Sequence, residues 1–104
     1  EMDSFKAAMT HGQRLFINEV LPWTAGDDTK AAAVRALNAN YSAWCAANDA
    51  TLIQCHDPMG QTRVSTGQLD DLLTAYNYDG IHLTVNAGVR ALARQIAAGI
   101  EASI

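Results

Sequence analysis

An aspartate and a histidine three residues apart, Asp79 and His82, stand in the segment Tyr78-Asp79-Gly80-Ile81-His82-Leu83-Thr84. On a tight loop the two can fold back on each other. The Asp79 carboxylate then accepts the Nδ1 proton of His82 and fixes the tautomer that leaves Nε2 free as a base. Gly80 permits the tight backbone this needs. A helix beginning just afterwards, with Thr84 as its N-cap, anchors the pair on a rigid element. Taken alone, the spacing fits two readings: a catalytic pair, or a surface turn ahead of a helix cap.

The remaining chemistry-bearing residues are more scattered. His11 and His56 lack the spacing of a metal site, and no Cys-x-x-Cys or His-Glu-x-x-His pattern occurs. No metal and no cofactor are therefore expected. Cys45 on a helix and Cys55 at the end of a strand are expected at different heights, as two buried free thiols rather than a bridge. His56 falls at the C-terminal end of a strand, the end at which parallel α/β sheets bind ligands. Trp23, just past the end of another strand, reaches the same rim; it either walls a substrate pocket or pads a helix.

The elements that must position these residues read as helix, strand, helix, strand, short helix, loop, helix. Asp3 or Ser4 caps a first helix running to about His11, with Phe5, Ala8 and Met9 on one side and Gly12 as its stop. The apolar run from Arg14 to Leu21, bounded by Gly12 and Pro22, is short enough to be a strand. Gly26-Asp27-Asp28 makes a turn and caps a long helix whose apolar face carries Val34, Leu37, Tyr41, Trp44 and Cys45. A second strand follows from Ala50 to Cys55 and closes at Asp57-Pro58. Met59 to Gly67 reads as loop. A short helix over Gln68 to Ala75, capped by Ser65 or Thr66, comes next. The last helix presents Val85, Val89, Leu92, Ile96, Ile100 and Ile104 at steps of three and four.

Strand, long helix and strand in that order form a βαβ unit with parallel strands. Two parallel strands alone leave two sheet edges open and one sheet face poorly covered, whereas parallel sheets are normally buried on both faces. The run from Leu15 to Leu21 is apolar enough for a central strand with neighbours on both sides. The expectation is that these 104 residues form part of a larger single domain.

Composition narrows the partners. Of the residues, 49% are hydrophobic and 17% charged, ordinary for a globular domain. A net charge of −4 with scattered Lys and Arg argues against nucleic acid or an anionic membrane. No apolar run approaches the roughly 20 residues of a membrane span. The opening Glu1-Met2-Asp3-Ser4 lacks the basic start and apolar core of a signal peptide, which decides nothing about compartment for a processed chain.

The string Asp79-Gly80-Ile81-His82-Leu83-Thr84, with Gly88 four residues on, closely resembles the last sequence block of the SGNH (GDSL) hydrolases. In that family this block supplies the Asp and His of a catalytic triad, so the resemblance implies those roles for Asp79 and His82. It also implies an α/β fold, a flavodoxin-like parallel sheet in three layers, of which this chain gives two strands and the C-terminal helix. The order of the strand ending Val20-Leu21-Pro22, the helix with Trp44 and the strand ending near Asp57 matches the second half of such a domain.

The family's first block, Gly-Asp-Ser after a strand, carries the nucleophile, and two further blocks supply a Gly and an Asn for the oxyanion hole. Asp3-Ser4 is not that first block: no strand precedes it, and Phe5 onward reads as helix. Asn18 lies inside a strand without the Gly-x-Asn-Asp context. The implied activity is ester hydrolysis through an acyl-enzyme, with no cofactor and an ester as substrate. The implied partner is an N-terminal fragment bearing the nucleophilic Ser and the oxyanion Gly and Asn. An acyltransferase on the same scaffold and a catalytically inactive, SGNH-like binding module are the rival expectations.

Overall fold

The structure, a computed structural model, describes residues 2–9 and 14–104; the expected helix end at His11 and the stop at Gly12 lie outside them, as does the side chain of Phe5. The elements are α1 (Met2–Ala8), β1 (Phe16–Asn18), α2 (Asp28–Ala47), β2 (Thr51–Ile53), β3 (Gly60–Gln61), β4 (Asp71–Leu72) and α3 (Ala87–Ala102). Short 3-10 helices cover Asp57–Met59 and Thr74–Tyr76. Because α1 already begins at Met2, Asp3 and Ser4 lie in its first turn and do not cap it from outside. Asp3 instead accepts a hydrogen bond from the indole Nε1 of Trp44 at 2.6 Å.

The centre of the fold is the βαβ unit. β1 and β2 pair in parallel, with Phe16 opposite Thr51, Ile17 opposite Leu52 and Asn18 opposite Ile53. Between them α2 starts where the turn places Asp27, whose carboxylate accepts the Lys30 N–H at 2.8 Å. That N-cap satisfies one of the orphan donors of the first turn.

β1 is shorter than the apolar run from Arg14 to Leu21, and the reason is visible at Val20. Just beyond Asn18 the Glu19 N–H still reaches the Ile53 carbonyl at 3.1 Å, but at Val20 the partner is a side chain. The Asn38 amide donates to the Val20 carbonyl at 2.9 Å and accepts the Val20 N–H at 2.8 Å. Asn38 is buried on α2 beside Ala31, Val34 and Cys45. Leu37, expected on the apolar face, is 39% exposed. Asn38 takes the inward position because it alone among these side chains can pair with a peptide unit.

The segment between β2 and the last helix departs furthest from expectation. The short helix expected over Gln68 to Ala75 is absent. In its place β3 and β4 pair antiparallel, Gly60 opposite Leu72 and Gln61 opposite Asp71. Long-range ion pairs outweigh local helix preference here. Asp70, 1% exposed, is bonded to Arg35 at 3.0 Å and to the Thr66 hydroxyl at 2.6 Å. Arg63 holds Asp71 at 2.7 Å. Thr66 and Ser65 therefore do not cap a helix; the Ser65 hydroxyl donates to Asp28 at 2.7 Å.

α3 packs its small side inward. Gly88 and Ala91 are buried, and a Cβ at Gly99 would stand 2.5 Å from Ile53 Cδ1. Of the bulky stripe at steps of three and four, Leu92 packs on the core and Ile96 is half-buried, but Val89 at 50% and Ile100 at 38% are exposed, as are Val85 and Ile104 just beyond the helix ends. Under the small side lies a compact cluster of Met59, Leu72 and Ala91, with Leu21, Tyr76, Leu83 and Leu92 packed around it. Among the described residues β1 pairs with no strand other than β2. No helix in the described residues is long and apolar enough to cross a membrane.

Candidate active site

The turn carrying Asp79 and His82 is closed at its base before any side chain contributes. Asn77 and Leu83 form an antiparallel bridge, and the Tyr78 N–H donates to the His82 carbonyl at 2.9 Å. Within the loop, the Gly80 N–H donates to the Asn77 side-chain oxygen at 2.6 Å. Gly80 itself sits at φ +90°, in the left-handed region that an L side chain resists.

Asp79 uses both carboxylate oxygens. Oδ1 accepts the backbone N–H groups of Ile81 at 2.9 Å and His82 at 2.7 Å. Oδ2 lies 2.7 Å from His82 Nδ1. Hydrogen bonding from the His82 ring, then from the His82 and Ile81 backbone, holds the Asp79 carboxyl down at about 2. The carboxylate is thus ionised throughout the neutral range. An ionised carboxylate on Nδ1 favours the tautomer with the proton on Nδ1, leaving a lone pair on Nε2. The His82 side chain is 72% exposed, so that lone pair belongs to an accessible ring rather than a core histidine.

Thr84 ties this turn to α3. Its hydroxyl donates to the Ala75 carbonyl at 3.0 Å and accepts the Gly88 N–H at 2.9 Å. The helix proper starts at Ala87, yet the side chain that satisfies its first turn is that of Thr84. Gly88 must be a glycine: a Cβ there would stand 2.9 Å from both Leu83 Cβ and the Tyr76 carbonyl.

Trp23 lies near the turn through its backbone. The next-but-one residue, Ala25, donates its N–H to the Gly80 carbonyl at 3.0 Å. The indole itself is 37% exposed, covers Gly26 and carries Lys30 Nζ over its ring at 5.1 Å from the centroid. It thus pads the start of α2 with one face.

His56, expected at a strand end, instead lies three residues beyond β2, just ahead of the 3-10 helix Asp57–Met59, and is buried. Its Nδ1 is 2.7 Å from Asp57 Oδ1, and its Nε2 is buried with no hydrogen-bond partner among the described residues. A cleft of about 400 Å³ beside it is lined by Glu19, Arg35, Asn38, Gln54 and His56. Cys45 and Cys55 are free and buried. Burial pushes both thiols up, and for Cys55 the Glu19 charge adds to it. Neither is poised as a thiolate nucleophile.

Two structural residues escaped the sequence reading. Arg63, 7% exposed, spends its guanidinium on Asp71 and Asp28 and on the carbonyls of Trp23 and Thr24. The hydrogen bond to Asp71 foremost raises its already high pKa, so it is a fixed cation. For Asp70, burial would raise the pKa, but the Thr66 hydroxyl and Arg35 prevail and lower it. Sequence marked neither: Arg63 lies in the expected loop and Asp70 in the expected short helix, each with one apolar neighbour. Among the described residues no group of three His, Cys, Asp or Glu side chains is arranged to hold a metal.

Comparison with known proteins adds nothing to this geometry: no family model matches the chain, and no curated protein matches it.

Proposed function

We propose that this chain supplies the acid and base of a serine esterase of the SGNH type, the nucleophile coming from outside these 104 residues. The observation that carries the reading is the Asp79 Oδ2 to His82 Nδ1 contact of 2.7 Å on a turn leading directly into α3. In this scheme a serine hydroxyl attacks an ester carbonyl while His82 Nε2 takes its proton. His82 then gives that proton to the departing alcohol, and water enters by the reverse sequence. Asp79 orients the ring and stabilises the imidazolium.

The chain's own serines support an external nucleophile. Ser65 donates to Asp28 and Ser103 to the Ile100 carbonyl, while Ser4 and Ser42 stand on α1 and α2. None bonds to His82. The shape agrees with a part of a larger three-layer domain. The radius of gyration is 14.7 Å, against about 13 Å for a closed domain of this length. The exposed side of α3 and the edge of β1 that is unpaired among the described residues are the surfaces that further helix and strand would cover.

The test is fluorophosphonate labelling. The chain alone should take no label and turn over no p-nitrophenyl ester. With the nucleophile-bearing part present, label should fall on a serine outside these residues and vanish in His82→Ala. Labelling of a serine in the isolated chain, or labelling that survives His82→Ala, overturns the reading. An inactive binding module is the outcome if the completed protein takes no label at all.

A further inference from the structure

The Asp79–His82 turn touches the rest of the molecule on two sides. On one, Thr84 and the Asn77–Leu83 bridge join it to the 3-10 helix and α3. On the other, the single backbone bond from Ala25 N–H to the Gly80 carbonyl, at 3.0 Å, joins it to the loop between β1 and α2. Gly80 is the first of the two residues between the acid and the base, and a Cβ there would stand 3.0 Å from Ala25 Cβ. The two loops are therefore in close contact at the backbone that brings the carboxylate and the imidazole together.

What fixes the Ala25 side is Arg63. Its Nη2 donates to the Trp23 carbonyl at 3.1 Å and the Thr24 carbonyl at 3.0 Å, the two peptide oxygens immediately before Ala25. Its Nε and Nη1 are anchored on Asp71 of β4 at 2.7 Å and on Asp28 of α2 at 3.3 Å. The Thr24 hydroxyl adds a second tie, accepting the Leu72 N–H at 2.8 Å. A planar guanidinium can hold two carboxylates and two carbonyls in one fixed frame; a lysine ammonium, with three donors on a flexible stem, cannot.

We propose that Arg63 is a positioning residue for the Asp79–His82 pair, setting the Trp23–Ala25 loop so that Ala25 braces the Gly80 peptide between acid and base. The inference rests on the reading of Asp79 and His82 as acid and base. Arg63 touches neither and acts through two peptide units and one hydrogen bond. Its cost in buried charge is offset by Asp71 and Asp28. Fixing a loop that a salt link to Asp71 alone would leave free is what the two carbonyl contacts add.

The test uses the full chain and needs no esterase activity, so it separates this inference from the proposed function. In Arg63→Lys and Arg63→Met, amide exchange at Ala25 and the carboxyl titration of Asp79 are followed by NMR, with α3 amides as the record of the remaining fold. In Arg63→Lys, Ala25 exchange is expected to quicken about tenfold, the loss of one hydrogen bond. The Asp79 midpoint should rise from about 2 toward the ordinary carboxylate value of 3.8, while α3 stays protected. Arg63→Met should do the same to a greater degree. If Ala25 stays protected and Asp79 still titrates near 2 in a folded Arg63→Lys chain, the inference is wrong. If both variants lose α3 protection along with Ala25, Arg63 is a folding residue and not a positioning one, which also overturns it.

Discussion

The side chain of Asn38 pairs with Val20 as a second strand would, taking its N–H at 2.8 Å and giving to its carbonyl at 2.9 Å. Both bonds are part-buried, so removing the amide leaves a donor and an acceptor without partners. Asn38→Ala is expected to destabilise the chain by about 2–4 kcal/mol, the cost of two unmet buried groups. Asn38→Asp should be worse, since a carboxylate faces the Val20 carbonyl. Urea unfolding monitored by circular dichroism checks both; a change below about 1 kcal/mol in Asn38→Ala would contradict the pairing.

His82→Ala should leave the fold intact, because the ring is 72% exposed and its one side-chain bond is to Asp79. In the proposed complete enzyme it should lower kcat roughly 10⁶-fold, as loss of a triad His does. Retention of most turnover sinks the assignment of the base.

The depressed titration of Asp79 makes a pH statement whose sign is fixed. Its folded pKa, about 2, lies below the ordinary carboxylate value of 3.8. The turn's contribution to stability is therefore full above about pH 4 and is lost as the pH falls through 2. His82→Ala removes the first cause of the depression, so the Asp79 midpoint should move up; the ¹³C shift of its carboxyl carbon reads it. An unmoved midpoint would mean the backbone donors alone hold the carboxylate.

Trp23→Ala tests whether the indole does more than pad. Its ring covers Gly26 and lies under Lys30, yet it keeps 37% of its surface in solvent. In the complete enzyme the substitution is expected to change the kcat/KM ratio between small and bulky acyl esters by about tenfold, the value of a few buried methylene contacts. Equal ratios before and after would leave Trp23 as cover for α2.

Lysine at Val89 or Ile100 tests the open face of α3. These residues are 50% and 38% exposed, so Val89→Lys and Ile100→Lys should shift the melting point of the isolated chain by no more than a few degrees. The same variants should abolish co-purification with the nucleophile-bearing part. Undiminished pairing would show that the stripe is not the joining surface.

The βαβ unit and the Asp79–His82 turn were legible because both are encoded locally. Asp27 caps its own helix, β1 and β2 are apolar runs joined by that helix, and Asp79 meets a partner three residues away. The stretch from Met59 to Ala75 was not, since its shape follows from residues far off in sequence. Arg35 and Asp70 are 35 residues apart, as are Arg63 and Asp28, and no periodicity marks them. The stripe of α3 misled in a different way. Its spacing correctly marked an amphipathic helix, but the face turned inward is the small one of Gly88, Ala91 and Gly99.

Thr84 lends its one hydroxyl to two neighbours, giving its proton to the Ala75 carbonyl and taking that of the Gly88 amide. Only Val85 and Asn86 stand between Thr84 and α3, and the hydroxyl spans them, so the turn is tied directly to the first turn of the helix. In the proposed esterase, the aim of His82 at a nucleophile would then be inherited from how α3 is seated, and a partner covering the outer face of that helix would also sight the base.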